Sequence, residues 1–219
     1  RRWWEPLLAC LREQGLADRR LYFVSSNTHS LVNLLTGTAR LHEDEIVAWV
    51  QRHGPRYLRA EIDKLRSGQA RGSWDNLLYF CARLFYDAHP EDGPLWTERR
   101  ARERELGVRH IPSRTAVRVS AQVIDPARLD PGSLDPRLAD VDAGALARCG
   151  GVIVNIDYPL GVGAYNILRE IGESTDTLRG VYVLGKAATL NADVGDVLIS
   201  SVIHDEHSGS TYWLDNAFS

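Results

Sequence analysis

The sequence has no methionine, three cysteines and two lysines among 219 residues. A translation product begins with methionine, so a chain opening on Arg1 is expected to be part of a longer protein, incomplete at both ends. Cys10, Cys81 and Cys149 are odd in number and far apart, and they form no CxxC pair. That argues against a disulfide framework or a structural zinc site and predicts a reducing, cytoplasmic home. No run approaches the ~18 apolar residues that cross a bilayer, so neither a membrane nor a secreted class is expected. The scarcity of lysine makes Lys64 and Lys186 conspicuous among 26 basic residues.

The remaining composition, 44% hydrophobic and 25% charged with a net charge of −3, is that of a globular protein. A chain of this length buries roughly 70% of its unfolded surface and needs no disulfide or metal to hold it together. Residues 1–112 carry 18 basic and 15 acidic side chains, residues 113–219 carry 8 and 14, and no internal repeat is evident in this reading. The charged segment from Glu98 to Glu105 has nearly balanced signs, which predicts a solvated helix face laced with i,i+4 pairs rather than a nucleic-acid patch.

Apolar spacing predicts helices over 5–14, 31–35, 42–53, 55–67 and 73–88, with a buried strand at Leu21-Tyr22-Phe23-Val24. The second half predicts a strand over 117–124, then a long Asp-, Pro- and Gly-rich connection over 125–148. A strand–helix–strand unit follows over 151–156, 163–171 and 180–184, and a further strand over 196–203. The fold class expected is α/β: one domain, 1–219, with a helical insertion at 38–112.

Ligands of open α/β sheets gather at the carboxyl ends of strands. Three such ends carry small polar residues. The first is Ser25-Ser26-Asn27-Thr28-His29-Ser30, where one hydroxyl suffices to cap the coming helix and the rest can contact an anion or a ribose; His29 is a candidate proton donor. The second, Asp157 to Gly163, places Asp157 as a candidate functional carboxylate or helix cap. Its G-V-G-A-Y-N string has Asn166 where a dinucleotide fingerprint needs a small residue, so a Rossmann cofactor site is rejected. The third, Gly185-Lys186-Ala187-Ala188-Thr189-Leu190, lets a ligand approach the main chain, with Lys186 as a phosphate contact or an amine of lowered pKa. His204-Asp205-Glu206-His207 lacks metal-ligand spacing on a strand and reads as a polar exit, so no metal is expected.

The run V-Y-V-L-G-K-A-A-T-L-N-A-D-V-G-D-V-L-I-S, residues 181–200, resembles the central signature of the nucleoside phosphorylase and nucleosidase superfamily, with N-I-D-Y-P-L-G-V-G-A-Y-N before it. With S-S-N-T-H-S, the pattern is similar to an uncharacterised bacterial branch of that superfamily. The resemblance implies a three-layer phosphorylase-like mixed sheet flanked by helices. It also implies cleavage of the N-glycosidic bond of a nucleoside or nucleotide, by phosphate or water and without a cofactor, in a homo-oligomer that binds neither nucleic acid nor membrane. Trp3, Trp4, Trp49 and Trp96 are candidate interface surface.

By position, the resemblance makes His29, Asp157 and Lys186 the candidate catalytic residues. Ser25, Ser26, Asn27, Gly185, Lys186, Ala187 and Thr189 become the substrate and phosphate contacts, and Asp196 is structural. Lys186 stands where the superfamily has a hydroxyl residue and Ala188 where it has a second glycine. Two other classes fit the same residues: a non-catalytic nucleotide-binding or assembly module, and a sugar-phosphate enzyme using Lys186 as a Schiff-base nucleophile.

Overall fold

A computed structural model describes residues 3–69, 72–112, 119–157, 162–185, 191–193 and 196–217. The chain divides into two compact units, Arg1–Leu184 and Gly185–Ser219. The first is a mixed α/β unit, with a central five-stranded sheet flanked by helices.

Helix α1 (Trp4–Glu13) places Trp4, Leu7 and Leu11 on one buried stripe, and Gly15, at φ 67°, turns the chain behind it. Strand β1 (Arg20–Ser26) follows, then α2 (Thr28–Thr36), which Gly37 ends in a left-handed conformation. Five helices come next: α3 (Thr38–Leu41), α4 (Glu43–His53), α5 (Arg56–Arg66), α6 (Trp74–Asp87) and α7 (Pro94–Glu105). They close over a core of their own, including Ile46, Val50, Ile62, Leu78, Phe85 and Tyr86.

The chain then re-enters the sheet as β2 (Val108–Ile111) and β3 (Ala121–Ile124). Three 3-10 turns and the short α8 (Ala143–Arg148) lead to β4 (Gly151–Asp157), α9 (Val162–Ser174) and β5 (Leu178–Val183). The strand order is β2-β3-β4-β1-β5. Strands β4 and β5 both run parallel to β1, whereas β3 pairs antiparallel with β4, and β2 antiparallel with β3.

Strand alternation sorts the side chains onto two faces. Leu21, Phe23, Val123, Val152, Val154 and Ile156 pack with α1 and with Ile167 and Ile171 of α9. The other face carries Val108, Ile124 and Ile153, covered by Val32 and Leu35 of α2. Burying each such side chain contributes roughly 1.5–3 kcal/mol. On this second face the register sets His110 opposite Gln122, and Gln122 opposite Asn155.

The connection 125–148 holds a repeat that the composition concealed. Asp125-Pro126, Asp130-Pro131 and Asp135-Pro136 each open a 3-10 turn, with the aspartate accepting from the backbone N–H two residues on. The intervening Leu129 and Leu134, with Leu138, pack beneath α2.

Several expectations are corrected. Residues 108–111 are a sheet strand rather than the end of a helical stretch; four residues are too few for an alternation signal. The strand expected over 196–203 is irregular through 196–200, and β6 (Val202–Asp205) instead pairs antiparallel with β7 (Ser210–Trp213) in the second unit. Trp3 and Trp4 are buried in the first core and so are not surface, whereas Trp49 and Trp96 are partly buried against the helical core. Within the charged run, Arg99 and Glu103 do pair at i,i+4, at 2.7 Å, but they are buried: the guanidinium lies over the rings of Tyr86 and Trp96. The start of the strand expected from 117 lies outside the described residues, which resume before β3. All three cysteines are free thiols.

Candidate functional site

Parallel alignment of β4, β1 and β5 brings their carboxyl ends to one edge. Ser26 is in register with Asp157 and Ser25 with Val183, and the Leu184 N–H donates to the Ser25 carbonyl at 2.8 Å. The last described residues of the three strands therefore lie side by side. Of the third loop, Gly185 begins the second unit, and Lys186, Ala187 and Thr189 lie outside the described residues.

At the first loop the cap is Asn27, not a hydroxyl. Its Oδ1 accepts from the N–H groups of His29 and Ser30 at 3.0 and 3.1 Å. Asp157 Oδ1 accepts from the Thr28 N–H at 3.0 Å, so this carboxylate caps α2. The opening N–H groups of α2 are thus spent on protein acceptors, and an anion finds none of them free. Asp157 is exposed, and among the described residues its second oxygen takes no hydrogen bond.

Ser25 is buried and faces the first core, while Ser26 Oγ donates to Asn155 Oδ1 at 2.8 Å. His29 Nε2 stands 2.7 Å from the Tyr79 carbonyl and 3.0 Å from Asn33 Nδ2. Burial, with the nearby Arg99 charge, lowers its pKa from 6.5 to about 4, against a smaller opposing effect of the Tyr79 carbonyl. His29 is neutral at pH 7.

Sequence reasoning missed the polar row crossing the sheet behind this edge. From Ser26, the chain of bonds continues with Asn155 Nδ2 donating to Gln122 Oε1 at 3.0 Å. Gln122 Nε2 donates to the Thr28 carbonyl at 3.2 Å and stands 3.5 Å from His110 Nδ1. His110 Nε2 lies 2.6 Å from Glu103 Oε2, and Arg99 Nε donates to Glu103 Oε1 at 2.7 Å. Asn155 and Glu103 are fully buried. Burial alone would raise the Glu103 pKa, but the bonds from His110 and Arg99 outweigh it and hold the carboxyl below its ordinary range. The signal available in the sequence was polar residues in phase with buried ones: Gln122 with Ile124, Asn155 with Ile153, His110 with Val108.

A second buried polar group braces α6 against the Asp-Pro connection. Tyr79 donates to Asp135, which also receives Arg137 Nε and Nη2 at 2.8 Å each. The Arg137 bonds hold the Asp135 carboxyl far below its usual range, and burial with the Asp135 bond raises the Tyr79 phenol.

In the second unit His204 Nδ1 is 3.0 Å from Thr211 Oγ1, His207 sits beside Asp205 in the turn, and the Asp193 N–H donates to Asp196. Among the described residues there is no group of three or more His, Cys, Asp or Glu side chains that could hold a metal ion. None of the helices described is long and apolar enough to cross a membrane.

The model of DUF6909, a family of unknown function, matches residues 1–219, and the chain belongs to that family. No curated protein and no solved structure matches the chain.

Proposed function

We infer that the edge formed by the carboxyl ends of β4, β1 and β5 binds a nucleoside or nucleotide and cleaves its N-glycosidic bond, on a sheet of the three-layer phosphorylase-like kind. The observation that carries this reading is the alignment of the carboxyl ends of three adjacent parallel strands, with Ser26 in register with Asp157, where α/β ligand sites form.

The transition state of this reaction resembles an oxocarbenium ion, which a fixed carboxylate beneath the sugar stabilises. Asp157 has the required form: the Thr28 N–H holds one oxygen at 3.0 Å, and among the described residues the other takes no hydrogen bond. Asn27 and Asp157 occupy the α2 N–H groups, and Lys186 remains the candidate phosphate contact by its place in the sequence.

Incubating the full chain with a panel of nucleosides and nucleotides, followed by chromatography of free base, tests the reading. Asp157→Asn is expected to lower base release about 100-fold, and Lys186→Ala to weaken phosphate-bearing substrates selectively. Failure to bind any panel member refutes the reading. A second reading, nucleotide binding without turnover, draws on the bonding of the first loop: Asn27, Ser26 and His29 are all engaged by protein groups. Saturable binding with no base released selects it.

A further inference from the structure

The geometry points to His110, oriented by Glu103, as the group that accepts and returns the proton at this edge.

Three observations carry the assignment. First, the Glu103 carboxylate is fully buried yet has both oxygens bonded, one to Arg99 at 2.7 Å and one to His110 at 2.6 Å. When the ring carries a single proton, a carboxylate so held accepts its Nε2–H, which leaves Nδ1 with its lone pair. Arg99 keeps Glu103 ionised, so the carboxylate stabilises an imidazolium without capturing the proton itself.

Second, the His110 side chain is 36% exposed, whereas that of Glu103 is 1% exposed. Among the described residues the ring is therefore partly open to solvent, although the group that orients it is closed to it. The one partner of Nδ1 among the described residues, Gln122 Nε2, lies at 3.5 Å, too long to engage the lone pair fully.

Third, His110 reaches the edge through short steps. Gln122, beside Nδ1, bonds the Thr28 carbonyl at 3.2 Å, and the Thr28 N–H bonds Asp157 at 3.0 Å. Gln122 thus links the imidazole to the first residue of α2, whose N–H holds the fixed carboxylate, and a sugar-transfer site needs both groups. No other described histidine has this arrangement: His29 is spent on the Tyr79 carbonyl and His89 on that of Phe85. His42, His204 and His207 pair with Glu45, Thr211 and Asp205, and among the described residues His53 has no hydrogen bond or ion pair, only its ring contact with Trp49.

The assignment rests on the glycosidic reading for its substrate. In the step it describes, the oxygen of a water molecule bonds to the anomeric carbon, and the carbon–nitrogen bond breaks with its electron pair remaining on the base. The proton lost by the water passes to His110 Nδ1 and from there to the base nitrogen. The products are the free sugar and the neutral base, and His110 ends as it began. Glu103 is a positioning residue in this step.

The test uses the full chain with the nucleoside and nucleotide panel. His110→Ala is expected to lose 100-fold or more in base release while binding is kept, and added imidazole to restore part of the rate. A merely structural role would not respond to imidazole. His110→Gln, which keeps a donor for Glu103, is expected to fold like the parent by circular dichroism and to remain inactive. Full activity in His110→Gln, or an inactive, folded His110→Ala that imidazole leaves unchanged, overturns the assignment while the glycosidic reading stands. If the parent binds a panel member without releasing base, that reading fails. His110 is then judged by the nitrogen resonances of its ring: a shift at Nδ1 on binding supports it as the contact group, and an unmoved resonance overturns it. A chain that binds nothing overturns both.

Discussion

Acid should destabilise this protein through one histidine well before its carboxylates titrate. His29 is neutral in the fold because burial and the Arg99 charge lower its pKa from 6.5 to about 4. In the unfolded chain the ring takes up a proton as pH falls through 6.5, while the folded ring resists until about 4. The unfolded state therefore binds more protons across that window. The stability His29 contributes is present above the unfolded value and is lost as pH falls toward the folded one. At 1.36 kcal/mol per unit, the loss over the whole window is about 3 kcal/mol, and between pH 7 and 4.5 it is about 2.5 kcal/mol. With a urea dependence of about 2 kcal/mol per molar, the midpoint moves by roughly 1 M.

The assay is urea unfolding at both pH values for the parent and for His29→Gln, in which no ring titrates. The variant loses the Tyr79 contact at both pH values, so only the change between them is diagnostic. The parent is expected to lose about 2.5 kcal/mol more than the variant. Parallel losses in the two proteins would refute the reasoning and show that His29 is not buried as neutral imidazole.

Removing the Glu103 carboxylate as Glu103→Ala leaves the Arg99 guanidinium buried without its partner, and thermal or urea unfolding should register about 3–5 kcal/mol of lost stability; an effect under about 1 kcal/mol would contradict the buried pairing. Replacing Asn155 by leucine strips partners from Ser26 Oγ and Gln122 Oε1, each worth about 1–3 kcal/mol when orphaned, and a neutral outcome in denaturant melts would show that the row is wet rather than closed. Two left-handed glycines differ in surroundings: a Cβ at Gly37 would lie 2.7 Å from the Ser133 carbonyl oxygen, while one at Gly15 meets nothing within 4 Å. Gly15→Ala should therefore cost only the conformational ~1–2 kcal/mol, Gly37→Ala clearly more, and equal melting temperatures would contradict the close approach.

Much of the helical half was legible because its helices are long and each carries a full apolar stripe, as Leu77, Leu78, Cys81, Leu84 and Phe85 do on α6. The parallel unit was legible for a related reason: a strand buried on both faces, such as Gly151 to Ile156, is a continuous apolar run. Strand β2 was not, since its four residues alternate too briefly and follow a charged helix. The expected strand over 196–203 failed on the opposite ground. Val197, Leu198 and Ile199 have strand composition but are all exposed and lie outside any ladder, and composition does not reveal whether a partner strand exists. At the edge, the loops could be found from strand ends and small residues. Glu103, His110, Gln122 and Asn155 could not, because they stand on four separate elements: the sheet register aligns the last three, and α7 brings Glu103 to His110.

The three Asp-Pro turns also act on a state no contact describes. Each proline fixes a backbone angle that the unfolded chain would otherwise sample, and each sits at the start of a turn that accepts it without strain. A compatible proline stabilises by roughly 0.4–1 kcal/mol through the disorder it denies the unfolded state, so the connection supplies about 1–3 kcal/mol in all. The stretch that looks least regular in sequence therefore starts out nearest to its final shape. It reaches Leu129, Leu134 and Leu138 under α2 with little left to lose.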